Sequence, residues 1–391
     1  MSRATEPPSR SELCSASQEG DVEKVRSLLA QGCSIHESSE DLVDYVRDAF
    51  LLAARNRRLD VLKLLIQHNC DVSKRTLNGN TALHLISFDP EIKSKPIIES
   101  LVILLLDHGV PLEGKNVKGA TALLLSAYES KISIAECLLD HGADISSTDN
   151  DGFTALHLAV HEGHHEVVAL LLSKGADISS SNNDGYTALH WAAKNGHHEA
   201  VALLLSKGAP LEARTIKFSY TPIHLLCSAH NGSGKIARLL LEAGIDKEAV
   251  SGFKSQRALH MAALKGKLEV LNELLVFGVE IDAPADYDWR ALHYAKFWGH
   301  WRIIGALLAG GANPCLKNDH GDRPSEVSWS QKATISPEDK EKCLKLLEDA
   351  EKAWKEKERW EREKERQERM EYRGSRFSRL FGKSNKTRNA F

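Results

Sequence analysis

Thr-Ala-Leu-His stands at Thr154 and again at Thr187, and related four-residue words begin at Thr81, Thr121, Thr221, Arg257, Arg290 and Arg323. The intervals between them are 40, 33, 33, 34, 36, 33 and 33 residues. A chain that restates itself at one period is built by stacking one small supersecondary unit, because each unit leaves apolar faces that only a neighbour can cover. One period upstream of Thr81 lies Asp48, followed by Ala-Phe-Leu-Leu-Ala-Ala, and a weaker copy near Ser11 carries Leu13 and Ala16. That makes ten units.

The unit reads most clearly from Asn150 to Ala176. Gly152 supplies turn chemistry, Thr154 is a good helix N-cap, and Leu156, Ala159 and Val160 share one helical face. Gly163 breaks the pattern. Val167, Val168, Leu170, Leu171 and Leu172 then form a second apolar stripe that closes at Gly175, a C-cap residue. Each unit is therefore turn, helix, turn, helix. The 40-residue interval carries an insertion from Phe88 to Pro96, whose two prolines predict a protruding loop between the helices of the third unit.

The T-A-L-H-x-A word, the Gly-His between helices (Gly163-His164, Gly196-His197, Gly299-His300) and the closing Leu-Leu-Leu-x-x-Gly-Ala (Leu170 to Ala176, Leu203 to Ala209) resemble ankyrin repeats. The resemblance implies an all-α ankyrin-repeat solenoid of about ten helix-turn-helix units with β-turn or hairpin connections, spanning residues 11–350. A disordered stretch is expected over 1–10. Ser336-Pro-Glu-Asp reads as an N-cap, a Pro at the first helical position and a capping acid, so a helix starts there. Cys343, Leu344, Leu346 and Leu347 give its first turns enough apolar surface to pack on the last unit. From 351 to 372 it is almost entirely Glu, Lys and Arg, with the pairs Glu351/Lys355, Glu358/Arg362 and Glu365/Arg369 in the favourable i,i+4 order. No heptad seam predicts a coiled coil.

Composition narrows the function classes. Lys and Arg total 51 against 54 Asp and Glu, so a net charge of −3 gives no whole-chain pull toward nucleic acid or anionic membrane. Seven Cys without a CxxC pair argue against a disulfide framework or zinc ribbon and for free thiols in a reducing compartment, the cytoplasm or the nucleus. No stretch reaches the roughly 18 apolar residues of a membrane span.

Catalytic words are present only as fragments. His161-Glu-Gly-His-His165 spells the H-E-x-x-H of zinc proteases, but that chemistry needs both histidines on one face of a continuous helix, and Gly163 sits at the interhelix turn. Gly232-Ser-Gly-Lys235 and Gly382-Lys-Ser384 lack the first glycine of a phosphate-binding loop. His84, His157, His190, His224, His260 and His293 recur with the repeat, and the family resemblance assigns them to backbone hydrogen bonding between units rather than to metal. The expectation is a non-enzyme without cofactor or bound metal.

What remains is surface. The resemblance places the tip residues just before the Thr-Ala-Leu-His word and the binding residues of the first helix just before the interhelix Gly, together lining a concave face. Those positions hold Phe153, Tyr186, Phe218, Tyr220, Phe253, Tyr287 and Trp289, with Phe297 and Trp298 on the last such helix. Nine aromatics at solvent-facing positions, in a chain only 6% aromatic, predict a contact stripe for a protein partner. The bland alternative is packing of Phe297 and Trp298 beneath the C-terminal helix. The segment 373–391 holds six Lys or Arg and no acid, so the preceding 372 residues carry −9 against −3 for the whole chain. Arg373, Arg376, Phe377, Arg379, Phe381 and Lys383 form a basic, aromatic pattern suited to an anionic membrane surface or RNA, on a tail expected to be flexible. The leading expectation is a monomeric interaction scaffold; the alternative is a peripheral membrane or nucleic-acid adaptor working through that tail.

Overall fold

The computed structural model describes residues 10–35, 48–88, 94–229, 233–332 and 334–381, of which 371–381 are described by their backbone alone. Nine helix pairs, one long C-terminal helix and a 3-10 turn at Asp286–Asp288 account for the helical structure among the described residues, and the only β pairing there is a single bridge between Ser181 and Thr187. The chain divides into two compact units: residues up to 231 with Arg238–Asp246, and Gly232–Ala237 with everything from Lys247.

In the first unit, first helices pack on first helices through Arg10–Glu19, Ala49–Arg55, Ala82–Leu85, Ala122–Tyr128, Ala155–Glu162, Ala188–Asn195 and Pro222–Ser228. Their second helices, from Val22–Ala30 to His198–Ser206, form a parallel layer. The predicted core follows. Leu156, Ala159, Val160, Val167, Val168 and Leu171 are fully or almost fully buried, while Leu170 and Leu172 are only half-buried. In the third pair the helix Lys95–Asp107 takes Pro96 into its first turn, where a missing N–H costs nothing, so part of the predicted loop is helix. Residues 89–93 of that insertion lie outside the described residues.

In the second unit, Ala258–Lys265 packs on Ala291–Trp298, and Leu268–Val276 on Trp301–Ala309. The tenth unit departs from the pattern. After Arg323 the chain makes a turn, with the N–H groups of Glu326 and Val327 donating to the Arg323 carbonyl, and no first helix forms. The segment's buried apolar residues are Pro324 and Val327, too few to make a helical face. Its second helix is replaced by Pro337–Phe381, which packs on Trp301–Ala309 with Cys343 and Leu347 fully buried. The helical backbone continues past residue 372, where the tail was expected to begin. All three predicted i,i+4 ion pairs form, at 3.5, 2.9 and 3.8 Å.

The repeat word explains why units join. In the clearest copy Thr154 Oγ1 accepts the His157 N–H while His157 Nδ1 accepts the Thr154 N–H, closing a reciprocal cap. With Nδ1 receiving an N–H, the other ring nitrogen must carry the proton. His157 Nε2 then donates to the Ser180 carbonyl at 3.1 Å, and His84, His190, His260 and His293 reach Ala120, Tyr220, Ala283 and Asp322 carbonyls at 2.9, 3.0, 2.8 and 3.2 Å. Each imidazole thus caps its own helix and satisfies a backbone carbonyl that follows in the chain. Burial holds His157, His190 and His293 neutral, with pKa values lowered to about 4.

Candidate protein-binding surface

Turn tips are locked to one another before any side chain is presented. Asn183 donates its backbone N–H to the Asp151 carbonyl and its side-chain amide to the Asn150 carbonyl, at 3.1 and 3.0 Å. Asn150 repeats this on Lys118 and Val117. Gly152 allows the approach: at φ +79° it has the left-handed backbone, and a Cβ there would stand 2.5 Å from Asn183 Oδ1.

On this frame the nine predicted aromatics fall into separate groups. In the first unit Tyr186 stacks on Trp191 with ring centroids 4.9 Å apart, and Phe153 reaches the same indole at 5.4 Å. Lys194 Nζ lies over the Trp191 ring, 4.4 Å from its centroid, and 5.3 Å from that of Tyr186. Phe218 and Tyr220 form a second pair at 5.3 Å. In the second unit Trp289 contacts Tyr294 at 5.1 Å and Phe297 at 5.6 Å, and Phe297 meets Trp298 edge to face at 5.7 Å. These residues, with Asp286 and Tyr287, line a pocket of about 320 Å³.

Of the nine, Phe253 and Tyr287 are exposed, at 43% and 64%, and the other seven are half-buried. Phe297 and Trp298 border the pocket, whereas it is the Trp301–Ala309 helix that takes the C-terminal helix. Trp191, Tyr294 and Lys194, central to these groups, were missed by the sequence reading. A signal was available: both aromatics directly follow the His of the repeat word, five residues after a tip aromatic. Of the tail candidates, Arg373, Arg376, Phe377, Arg379 and Phe381 lie on the helical backbone, and Lys383 falls outside the described residues.

The H-E-x-x-H word straddles two helices. Ala155–Glu162 ends at Gly163, which adopts φ +80°, and the next helix begins at His165. His164 Nε2 is bonded to the Tyr128 carbonyl, and His161 contacts its neighbour Glu162. No group of three or more potential metal ligands occurs among the described residues. Burial makes three thiols poor nucleophiles, raising Cys70 to about 12 and Cys137 and Cys343 to about 11.

The family model described as "Ankyrin repeats (3 copies)" matches residues 13–102, 92–182 and 177–251, and "Ankyrin repeats (many copies)" matches 259–308. The chain belongs to the ankyrin-repeat family. Among similar proteins, Calmodulin-binding transcription activator 3 of Arabidopsis thaliana is 37% identical over 81 residues, 19% of this chain and 8% of that protein. The B-cell lymphoma 3 protein homolog of Mus musculus is 30% identical over 122 residues, 31% of this chain and 27% of that protein. Protein phosphatase 1 regulatory subunit 27 of Homo sapiens is 37% identical over 70 residues, 18% of this chain and 46% of that protein. The chain therefore spans under half the length of these relatives. Ankyrin repeats are in general protein–protein interaction modules, and here the locked tips and first helices of the ankyrin units present the aromatic groups.

Proposed function

We propose that this ankyrin-repeat protein is a non-catalytic scaffold that binds a protein partner through the tip and first-helix aromatics on the concave side of its repeats. The observation that carries the reading is the pocket bordered by Trp289, Phe297 and Trp298, large half-buried rings held at the tip and helix-end positions of the Arg290 word. Rings held by stacking have already lost most of their rotational freedom, so a partner contacting them meets a small entropic cost, which is how binding hot spots concentrate affinity. The interrupted H-E-x-x-H word and the raised thiol pKa values support the absence of catalysis.

Affinity capture from lysate, comparing the intact chain with Tyr220→Ala, Phe253→Ala and Trp289→Ala, tests it. Capture is expected to fall by roughly thirtyfold or more for one or two of the three, the effect of a hot-spot loss of about 2 kcal/mol. Melting temperature should hold for the exposed Phe253. Lys174→Ala and Lys207→Ala, at the ends of second helices, serve as controls. If they weaken capture while all three aromatic variants bind normally, the surface is wrongly placed.

A further inference from the structure

The repeat lets one part of the chain act as a template for another. With Thr187 and Arg290 as equivalent starts, Tyr186 corresponds to Trp289, Trp191 to Tyr294, Lys194 to Phe297 and Asn195 to Trp298. In the first unit the Tyr186–Trp191 pair is served by the chain's own cation, Lys194 Nζ at 4.4 Å from the indole centroid. In the second unit the equivalent pair, Trp289 and Tyr294, has the same spacing within a few tenths of an ångström, but the residue at the lysine position is Phe297. The two rings are tilted 54° apart rather than 28°, Tyr294 is buried, and Phe297 stands where the lysine would, 5.6 Å from Trp289, so the internal cation is replaced by a third ring bordering a pocket of about 320 Å³.

We infer that the second-unit pocket is the seat of a cationic side chain, an arginine or lysine, from the partner protein, lying against the Trp289, Phe297 and Trp298 rings and supplying the charge that Lys194 gives the Tyr186–Trp191 pair. The inference rests on the reading of this surface as protein-binding and adds the chemistry that the surface selects. Ring faces carry partial negative charge and attract a cation lying within about 6 Å of the centroid, more strongly when water is excluded. The wall's charged side chains balance, one carboxylate, Asp286, against one ammonium, Lys254, which lies over the Phe253 ring at 5.4 Å, and His320 is stacked on Tyr287, so the attraction comes from the ring faces. Lys296, next to Phe297 in the chain, is turned to the Val327 carbonyl and lies 4.1 Å over Trp329, so it supplies no cation to the pocket. At the lower end of the ~300–1,000 Å³ usual for ligand pockets, the volume suits a single side chain.

The test needs no partner. The intact chain is titrated with N-acetylargininamide and, as the neutral isostere, N-acetylcitrullinamide, while the indole N–H resonances of its seven tryptophans are followed by NMR and assigned by single Trp→Phe substitutions. Saturable shifts are expected at Trp289 and Trp298 with the arginine amide, with the citrulline amide about tenfold weaker or worse. Trp191, already beneath Lys194, and Trp354 and Trp360 on the C-terminal helix should not move. Because Trp289→Ala removes packing as well as the platform, Phe297→Lys provides the second variant. It installs the side chain that the first unit uses and should abolish the shifts while keeping the helical spectrum. Equal response to both amides, no saturable shift up to tens of millimolar, or undiminished binding in Phe297→Lys would each overturn the cation seat. None of these results would bear on capture of a partner through the other aromatics, so the two readings fail separately.

Discussion

At the scale of single residues, the molecule depends on a few side chains that serve two neighbours at once. Leu171, in the second helix His165–Ser173, is wholly buried, and its truncation to Ala should cost about 2–5 kcal/mol, depending on how far its surroundings collapse. Because repeats unfold locally, hydrogen exchange is expected to speed up first in residues 155–173 rather than uniformly. The imidazoles make a second prediction. His157, His190 and His293 titrate near 6.5 when unfolded and at about 4 when folded, so the unfolded chain gains protons through that window and the folded chain does not. Their contribution is complete above about pH 6.5 and declines at about 1.4 kcal/mol per pH unit per histidine as pH falls toward 4. Asp48 and Asp282, whose pKa values are raised by burial, act in the opposite sense at the acid end. Urea midpoints at pH 7.5, 6 and 5 should fall in that order; a constant midpoint would remove the buried neutral histidines from the account.

At the scale of elements, the C-terminal helix shows where an anchor ends. Cys343, Leu347 and Glu351 are buried, with Glu351 bonded by the Ser325 hydroxyl and 3.6 Å from Arg323. Beyond it nearly every described side chain is exposed. A chain ending at residue 358 should therefore melt like the whole, whereas one ending at 336 uncovers the Trp301–Ala309 helix and should melt several degrees lower, as calorimetry would show. Element boundaries were legible in the sequence wherever local chemistry decided them: Thr154, Gly163 and Ser336 each mark a helix end through their own backbone preference. The missing first helix after Arg323 has a local cause in the sequence: the word there is Arg-Pro-Ser-Glu, without the Leu and His of the repeat, and few apolar residues follow it. The aromatic groups were half legible. Tip positions follow from the repeat register, but which rings stack on which depends on the residue after the His, Trp191 in one unit and Tyr294 in another, and on whether a lysine reaches over them.

For the whole molecule, stability is a matter of neighbours. A single unit such as residues 147–179 leaves both faces of its helix pair exposed and cannot recover the entropy of ordering some thirty residues, so circular dichroism of that peptide should show little helix. The intact array should unfold with many units coupled. The histidine bonds add a consequence for dissecting such a chain. The carbonyl accepting from His157 belongs to Ser180, beyond the end of the second helix at Ser173 and before the next Thr. The Tyr220 carbonyl that accepts from His190 likewise comes just ahead of Thr221. A fragment cut at the helix end removes the acceptor and strands a buried imidazole, whereas a cut a few residues later keeps it. The physically complete piece is longer than the period written in the sequence, and proteolytic or recombinant boundaries belong after the overhang.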